Sequence, residues 1–315
     1  MNMGEPGKTP MQIDLRRHLR EKEIDRDLTR LICEIADASK YIVNSIRTGD
    51  LAVAGTSNLY GEEQLALDVL SDRILRKRLT YSGVVNTIVS EETDEIIKVD
   101  SNGSGRFAVA YDPLDGSSLV DVNLAVGTIV SIFEGDDIMQ PGRKQIAALY
   151  VLYGPRTTLV YTSGDGVYEF NMNHLMEYTL TQKVSLLAES GGIYSPGGQR
   201  NLYSKGVEAL VSKLEEEGSK LRYSGGLVPD FNQILLKGKG MFLYPHLKGK
   251  PQGKLRLLYE LNPMAFIMEQ AGGAASNGKI PILDVQPESI DQTEPLFIGC
   301  RKEVELAERL IAELG

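Results

Sequence analysis

Tryptophan is absent from the 315-residue sequence, which has only two cysteines and three histidines. Two cysteines, Cys33 and Cys300, cannot build a disulfide framework, so we expect a reducing compartment and a cytoplasmic protein. Three scattered histidines argue against a histidine-rich zinc site. No apolar run approaches the ~20 residues that a membrane-spanning helix requires, and the polar residues 1–12 predict no secretory signal.

Positively charged residues are fewer than negatively charged ones. Lysine and arginine together number 34 against 43 acidic residues, which gives a net charge of −9. This balance argues against a nucleic-acid partner and against an anionic membrane surface. A phosphorylated small molecule is still compatible with it, because a few local cations or metal ions outweigh the average. The sequence also lacks a Walker phosphate loop, a Gly-x-Gly-x-x-Gly motif and a nucleophilic serine elbow.

What is present is the apolar periodicity of a layered α/β fold with two sheets. The chain is 42% hydrophobic and long enough for two domains, and the pattern changes near Gln182, so the predicted domains are residues 1–182 and 183–315. Predicted helices cover 24–48, 63–79, 207–217, 227–236, 260–270 and 304–314. Predicted strands cover 85–89, 107–111, 126–133, 146–153, 157–162, 167–170, 184–188, 241–244, 255–258 and 296–299. The glycine-containing stretches 52–61 and 191–198 are predicted loops, the first of them mobile.

The most informative stretch, residues 112–118, reads Asp-Pro-Leu-Asp-Gly-Ser-Ser. It follows a buried-strand pattern, and Pro113 keeps Asp112 extended at the strand end. Gly116 lets a ligand approach the backbone, and the two serines after it offer hydroxyls and amides to a phosphate. Carboxylates for a cation beside donors for an anion indicate metal-assisted chemistry on a phosphate ester. An acidic turn capped by serines is the alternative interpretation.

Further acids are predicted to converge on the same place. The strand 85–89 also ends in acid, at Glu91 and Glu92, and strands that end in this way share a crevice. Asp68 falls on the buried side of a predicted helix, where an unpaired carboxylate would be costly. The candidate acids are Glu62, Asp68, Glu91, Glu92, Asp112 and Asp115.

Such a cluster requires neutralisation. Each like-charge pair costs on the order of 4 kcal/mol at about 4 Å and an effective dielectric of about 20. All-oxygen ligands favour Mg²⁺ or Mn²⁺ over zinc. Aspartyl-phosphate phosphatases space two aspartates by a single residue, whereas Asp112 and Asp115 are separated by two, so direct attack by water is favoured over a phosphoenzyme. The alternative is a set of unrelated, solvated surface acids.

Cations for a second anionic group occur at Lys254 and Arg256. They alternate with leucines along a predicted strand, so both face one side of it. The solvent face of an edge strand would have the same pattern, and the sequence leaves this alternative open.

Three motifs together resemble one known family, class I fructose-1,6-bisphosphatase, which belongs to the lithium-sensitive, magnesium-dependent phosphatases. They are residues 112–118, Ser90-Glu91-Glu92, and residues 254–264, which read Lys-Leu-Arg-Leu-Leu-Tyr-Glu-Leu-Asn-Pro-Met. The resemblance runs from about Ile24 to the C-terminus. It implies a five-layered α-β-α-β-α sandwich with two mixed sheets, the sugar-phosphatase fold. It also implies Mg²⁺-dependent hydrolysis of the 1-phosphate of fructose 1,6-bisphosphate, with Mn²⁺ as a substitute metal, and usually a homotetramer.

Site roles follow position by position from this resemblance. The implied metal ligands are Glu62, Glu91, Asp112, Leu114 through its carbonyl, Asp115 and Glu260. The implied catalytic pair, which orients and deprotonates water, is Asp68 and Glu92. The implied substrate-binding residues are Asp115, Gly116, Ser117 and Ser118 around the 1-phosphate, Tyr223, Tyr244 and Lys254 around the sugar and the 6-phosphate, and Arg222 from a neighbouring subunit. The domain 1–182 would then carry the mobile loop and the acidic cluster, and 183–315 would bind the sugar phosphate.

The sequence also departs from the family pattern. Residues 196–198 read Pro-Gly-Gly where many relatives have Asn-Glu-Gly, which removes one expected contact with the 6-phosphate. The AMP-binding stretch of many relatives corresponds here to residues 25–29, Asp-Arg-Asp-Leu-Thr. Arg106-Phe107 replaces its Lys-Tyr pair, and Glu134 replaces an arginine. We therefore expect no inhibition by AMP through this pocket.

Two alternative functions stay open from the sequence. One is hydrolysis of sedoheptulose 1,7-bisphosphate, alone or in addition. The other is a non-catalytic sugar-phosphate sensor, which would have no need of the water-activating pair.

Overall fold

The structure, a computed structural model, describes residues 13–48, 53–57, 63–99, 103–185 and 189–315, with the backbone alone at 53–57 and 63–66. The helices are α1 (Leu15–Glu21), α2 (Arg26–Thr48), α3 (Ala66–Ser82), α4 (Lys205–Glu216), α5 (Leu227–Lys237), α6 (Asn262–Gln270) and α7 (Arg301–Leu314). The strands are β1 (Val53–Ser57), β2 (Glu63–Leu65), β3 (Val85–Ser90), β4 (Ile97–Lys98), β5 (Phe107–Asp115), β6 (Val126–Glu134), β7 (Gln145–Tyr153), β8 (Thr157–Thr162), β9 (Val167–Met172), β10 (Tyr178–Val184), β11 (Ile193–Pro196), β12 (Lys220–Leu221), β13 (Met241–Tyr244), β14 (Leu255–Arg256), β15 (Ala274–Ser276), β16 (Thr293–Glu294) and β17 (Leu296–Gly299).

Two mixed sheets form the frame. The first has eight strands in the order β10-β9-β8-β7-β6-β5-β3-β4, and the second has five in the order β12-β11-β13-β17-β15. Within the first sheet, β3 and β5 run parallel, while β5 and β6 run antiparallel. Every residue of β5 is buried, as expected for a strand covered on both faces.

Helices cover both faces of each sheet. Helices α1, α2 and α3 share one apolar core with the outer face of the first sheet. Helices α5 and α6 lie between the two sheets in a second core, and α4 and α7 cover the far face of the second sheet. The sequence of layers is therefore α-β-α-β-α, which confirms the predicted fold class. In the described ranges, no helix is both long and apolar enough to cross a membrane.

Some boundaries differ from the sequence prediction. Strand β11 lies inside the predicted glycine-rich loop 191–198, because its glycines flank the strand at positive φ while the strand pairs with β12 and β13. Strand β10 precedes the predicted strand 184–188, whose residues 186–188 lie outside the described part. Thr181, Gln182 and Lys183 of β10 are exposed, so the apolar pattern of this strand is weak.

Local structure also differs next to the predicted acidic site. The predicted strand 255–258 ends at Arg256, and a π-helical turn, Leu257–Leu261, leads into α6. Part of the predicted loop 52–61 is strand β1, which pairs with β2, so α3 begins at Ala66 rather than at residue 63. Helix α1 was not predicted. It is only seven residues long, and its apolar face is small.

Candidate active site

Two neighbouring strand ends bring acidic residues to one edge of the first sheet. The parallel pairing of β3 and β5 aligns Ser90 with Tyr111, so Glu91 and Asp112 follow side by side. The backbone N–H of Glu91 donates to the Tyr111 carbonyl at 3.1 Å, which fixes the two chain segments together. The carboxyl edge of this parallel pair is where an α/β sheet forms its crevice.

The Asp-Pro-Leu-Asp-Gly-Ser-Ser stretch extends β5 beyond its ladder. The register of β5 against β6 shifts between Asp112 and Asp115, which forms an irregularity at the proline. Asp112 Oδ1 accepts from the backbone N–H of Leu114 at 2.9 Å. Gly116 then adopts a left-handed conformation, with φ of 75°, and begins the 3₁₀ helix Ser117–Val122. Gly116 is needed for this turn, because other residues adopt that conformation only at a cost.

Asp115 links the first sheet to the middle helix layer. Its Oδ2 accepts from the backbone N–H of Val228, at the start of α5, at 2.8 Å. Gly127 on β6 makes this close packing possible, since a Cβ there would lie 2.6 Å from the Val228 side chain. The position of α5 therefore determines where Asp115 points.

Glu260 completes an acidic cluster from the opposite side. It lies on the π-helical turn and accepts a short hydrogen bond from the backbone N–H of Arg256. One carboxylate oxygen from each of Asp112, Asp115 and Glu260 lies within 4.8 Å of the others, and all three residues are buried. Among the described residues, this is the group of acids whose spacing suits a metal ion.

Burial and mutual repulsion disfavour the charged form of these acids. Burial, with Glu91 next in effect, raises the pKa of Asp112 and of Glu260 well above the ordinary range. Burial also raises the pKa of Asp115 to about 6, although the Val228 N–H opposes the rise. Three buried oxygen ligands that repel one another fit a hard divalent cation, because a cation removes the repulsion and replaces the lost hydration.

A cavity of about 540 Å³ opens beside the cluster. The predicted residues that line it are Asp68, Glu91, Glu92, Asp112, Leu114, Asp115, Gly116, Ser117, Ser118, Tyr223, Tyr244, Lys254 and Glu260. Arg222 is exposed and is not a lining residue. Glu62 lies outside the described residues.

The cavity also contains residues that sequence reasoning did not assign to the site. They are Asp121, Gly225, Gly226, Leu227, Phe242 and Leu255, together with Arg256, which the sequence offers only as a cation for a second anionic group. Gly226 precedes α5, and Phe242 lies on β13, so both reach the cavity only because the two sheets pack around the middle helices. No local motif marks such residues. Asp121 could have been noticed as the next acid after Ser118.

Lys254 and Arg256 both line the cavity, but they differ in depth. Lys254 is exposed, whereas Arg256 is 7% exposed and its Nη2 lies 4.0 Å from Glu91 Oε1. Burial of Arg256 is inconsistent with the alternative of a solvent-facing edge strand. The guanidinium instead offsets part of the negative charge around Glu91 and Glu260.

The Pro196-Gly197-Gly198 segment packs directly on Tyr244. A Cβ at Gly197 would lie 2.3 Å from Tyr244 Cδ2, so the ring lies against the backbone there. Tyr203 Oη donates to the Gly197 carbonyl at 2.7 Å, and this hydrogen bond fixes the segment. The departure from the usual family residues thus shapes the wall that carries Tyr244.

Comparison with known proteins gives a consistent result along the whole chain. The family model described as "Fructose-1-6-bisphosphatase, N-terminal domain" matches residues 9–183, and the corresponding C-terminal domain model matches residues 187–312. Fructose-1,6-bisphosphatase class 1 of Syntrophotalea carbinolica is 69% identical over 99% of this chain and 98% of its own length. The relative of the same name from Geobacter sulfurreducens is 64% identical over 98% of both chains.

Solved structures agree with these sequence relatives. Leishmania major fructose-1,6-bisphosphatase in its holo form superposes with a TM-score of 0.91 at 31% identity, covering 96% of this chain and all of the other. A putative sedoheptulose-1,7-bisphosphatase from Toxoplasma gondii superposes with a TM-score of 0.88 at 32% identity, covering 96% and 99% of the two chains.

Proposed function

This chain belongs to the class I fructose-1,6-bisphosphatases, and from that premise we propose that it hydrolyses the 1-phosphate of fructose 1,6-bisphosphate in the cavity beside the acidic cluster. The products are fructose 6-phosphate and phosphate. The observation that carries the proposal is the buried trio Asp112, Asp115 and Glu260, with oxygens within 4.8 Å of one another, beside the turn at Gly116. The enzyme is a metal-dependent phosphatase, and we propose Mg²⁺ as the metal, with Mn²⁺ as a substitute.

The acidic cluster is the proposed metal site. Its ligands are Asp112, Asp115 and Glu260, with Glu91, Glu62 and the Leu114 carbonyl as further ligands. When bound, a divalent cation neutralises phosphate charge and lowers the pKa of water. Burial supports this role, because it raises the pKa of all three acids, and a bound cation would favour the ionised form that burial disfavours.

Asp68 and Glu92 are the proposed catalytic pair. Both line the cavity, from α3 and from the end of β3. Glu92 accepts the proton of the attacking water, and Asp68 orients that water. The amides and hydroxyls of Gly116, Ser117 and Ser118 hold the 1-phosphate at the start of the 3₁₀ helix, with Asp115 beside it.

The opposite wall is the proposed site for the rest of the substrate. Tyr223, Tyr244 and Lys254 line it, and Lys254 is exposed at its edge, where it can pair with the 6-phosphate. Arg222 is proposed to serve a neighbouring subunit in a homotetramer, because its side chain is exposed and, among the described residues, its Nη1 donates only to the adjacent Leu221 carbonyl. We place the enzyme in the cytoplasm and divide it into the domains 1–182 and 183–315.

The decisive experiment measures phosphate release from fructose 1,6-bisphosphate and from sedoheptulose 1,7-bisphosphate, with and without Mg²⁺. Activity on the first sugar that requires Mg²⁺ is expected, and Glu260→Gln should remove most of it. Glu169→Gln is a matched control, since Glu169 is another buried acid, on β9, that does not line the cavity.

Two other outcomes would change the proposal. Faster hydrolysis of the seven-carbon sugar would favour the sedoheptulose alternative, which the likeness to the Toxoplasma gondii protein supports. Tight binding of both sugars without phosphate release would indicate a sugar-phosphate sensor instead.

A further inference from the structure

Asp72 is a buried acid on α3 that does not line the cavity. It follows Asp68 by four residues on α3, so both side chains project from the same face of the helix. Only 6% of Asp72 is exposed. A carboxylate at this depth is costly unless donors surround it.

Three side chains supply those donors. Ser90 Oγ donates to Asp72 Oδ1 at 2.6 Å, and Tyr111 Oη donates to the same oxygen at 2.8 Å. The Arg76 guanidinium pairs with the other oxygen, Oδ2. Ser90 and Tyr111 are both fully buried, so neither hydroxyl exchanges this bond for one with water.

The two hydroxyls belong to the strand ends that carry the acidic site. Ser90 is the last residue of β3 and immediately precedes Glu91 and Glu92. Its Oγ also accepts from the backbone N–H of Glu92 at 3.3 Å. A continuous path therefore runs from Asp72 through Ser90 Oγ to the backbone of Glu92.

The cluster of proposed metal ligands is held by different contacts. Asp112 accepts from the Leu114 N–H, Asp115 accepts from the Val228 N–H, and Glu260 accepts from the Arg256 N–H. None of these bonds passes through Asp72. The Asp72 network can therefore be disturbed while those three hydrogen bonds stay in place.

We propose that Asp72 is a positioning residue, which sets the distance between Asp68 and Glu92 by fixing Ser90 and thereby the Glu92 backbone to helix α3. The inference rests on the proposed function, because the proposed function assigns water activation to Asp68 and Glu92. A purely structural ion pair between Asp72 and Arg76, four residues apart on one helix, would not require the strand hydroxyls.

The test uses Ser90→Ala and Tyr111→Phe, because each removes one buried hydroxyl from the same oxygen of Asp72. Only Ser90 continues to the Glu92 backbone. Ser90→Ala and Asp72→Asn should each lower kcat by about 10- to 100-fold, as small misplacements of catalytic groups do, with unchanged KM. Tyr111→Phe should lower kcat much less than Ser90→Ala does, because the Tyr111 hydroxyl contacts Ser90 but the bond to the Glu92 N–H belongs to Ser90. The unfolding midpoints of the two variants should fall equally.

Two readouts do not depend on turnover. Hydrogen–deuterium exchange at the Glu92 amide should be faster in Ser90→Ala and Asp72→Asn than in the wild type, and much less affected in Tyr111→Phe, which leaves the Ser90 acceptor in place. The affinity for Mn²⁺ without substrate, measured by calorimetry, should change far less than kcat, since the hydrogen bonds that hold Asp112, Asp115 and Glu260, and the bond from the Glu91 N–H to the Tyr111 carbonyl, use none of the replaced side-chain atoms.

Equal effects of Ser90→Ala and Tyr111→Phe on kcat and on exchange would overturn the proposal and leave Asp72 a structural residue. If Asp72→Asn does not fold, the comparison of the two hydroxyl variants decides alone. An inactive wild-type enzyme would instead refute the proposed function, and the exchange measurements would still decide whether Asp72 fixes the Glu92 backbone.

Discussion

Arg106 Nη2 lies 3.2 Å from Glu134 Oε1, so the Arg106 guanidinium is already paired with an acid of the protein itself. The Nη1 of Arg106 donates to Asp25 Oδ1 and to Asp27 Oδ2, each at 3.0 Å, so acids pair with both terminal nitrogens of the guanidinium. Thr29 Oγ1 donates to the Ile24 carbonyl. At the positions that correspond to the AMP-binding residues of many relatives, three carboxylates therefore pair with the Arg106 guanidinium.

We predict that AMP does not inhibit the enzyme through this pocket at physiological concentrations. Each missing charge-assisted hydrogen bond removes roughly 1.5–3 kcal/mol, and two such losses weaken binding by about a hundredfold or more. Titration of Mg²⁺-activated hydrolysis with AMP checks this expectation. Half-inhibition at low micromolar AMP that disappears in Arg106→Ala or Thr29→Ala would contradict it.

Asp112→Asn and Glu92→Gln should both lose most activity, but for different reasons. Asp112→Asn weakens metal binding, so a higher Mg²⁺ concentration should partly restore kcat. Glu92→Gln removes the proposed proton acceptor, a role that is typically worth 10²–10⁴-fold in rate, and added Mg²⁺ should not restore activity. Steady-state rates across a Mg²⁺ titration distinguish the two. Full activity of either variant at saturating Mg²⁺ would refute its assigned role.

Metal binding should release protons near pH 6. Asp115 has a pKa of about 6 in the folded metal-free protein and 3.8 as its ordinary value. The folded protein thus holds a proton that the unfolded chain has lost, so its free energy of unfolding decreases as pH rises from about 4 to about 6, by about 3 kcal/mol from this group. Mg²⁺ competes with the proton on Asp115 and binds more tightly as pH rises. The increase in the free energy of unfolding caused by Mg²⁺ should therefore become larger from about pH 4 to about pH 6.

Calorimetric titration with Mg²⁺ at pH 6, in two buffers of different ionisation enthalpy, counts the protons released. Urea unfolding with and without Mg²⁺ across this pH range gives the stability. Binding without proton release, together with a pH-independent effect of Mg²⁺ on unfolding, would show that the cluster is already ionised before the metal binds.

Arg222 should act on the cavity of a neighbouring subunit. Arg222→Ala should then raise KM, and mixed oligomers of Arg222→Ala and Asp112→Asn subunits should regain sites with normal KM. In such oligomers, Arg222 of an Asp112→Asn subunit reaches the cavity of a neighbouring Arg222→Ala subunit, whose acidic cluster is intact. Kinetics of co-refolded mixtures measure this recovery. No recovery, or a normal KM in an obligate monomer, would place Arg222 outside the substrate site.

Gly197→Ala should raise KM by roughly tenfold with little change in kcat. The new Cβ would lie 2.3 Å from Tyr244 Cδ2 and must displace the ring, and overpacking of this kind costs about 1–3 kcal/mol. Gly154→Ala is the matched control, because a Cβ there would lie 3.4 Å from its nearest neighbour. If both variants have wild-type KM, Tyr244 does not contact the substrate.

Sequence reasoning succeeded where a local pattern determines the structure. The apolar run before Asp112 and the proline after it predicted a buried strand that ends in acid, and β5 has this form. It failed at β11, where pairing with two neighbouring strands decides the conformation and glycines suggest a loop. The same limit applies to the cavity wall, since Gly226 and Phe242 reach it through packing between distant segments. Arg256 appeared in the sequence as a cation, but its burial beside Glu91 depends on the π-helical turn.

The hydrogen bond from Val228 to Asp115 has a consequence for how the molecule unfolds. It joins the first sheet to the helix layer on which the second sheet also packs, and the cavity takes lining residues from both sides of this junction. A ligand bound there favours the state in which both sheets are folded and docked, by RT ln(1 + [L]/Kd). Substrate therefore makes the unfolding of the two sheets more cooperative, and a cell that supplies sugar bisphosphate also protects both sheets from proteolysis.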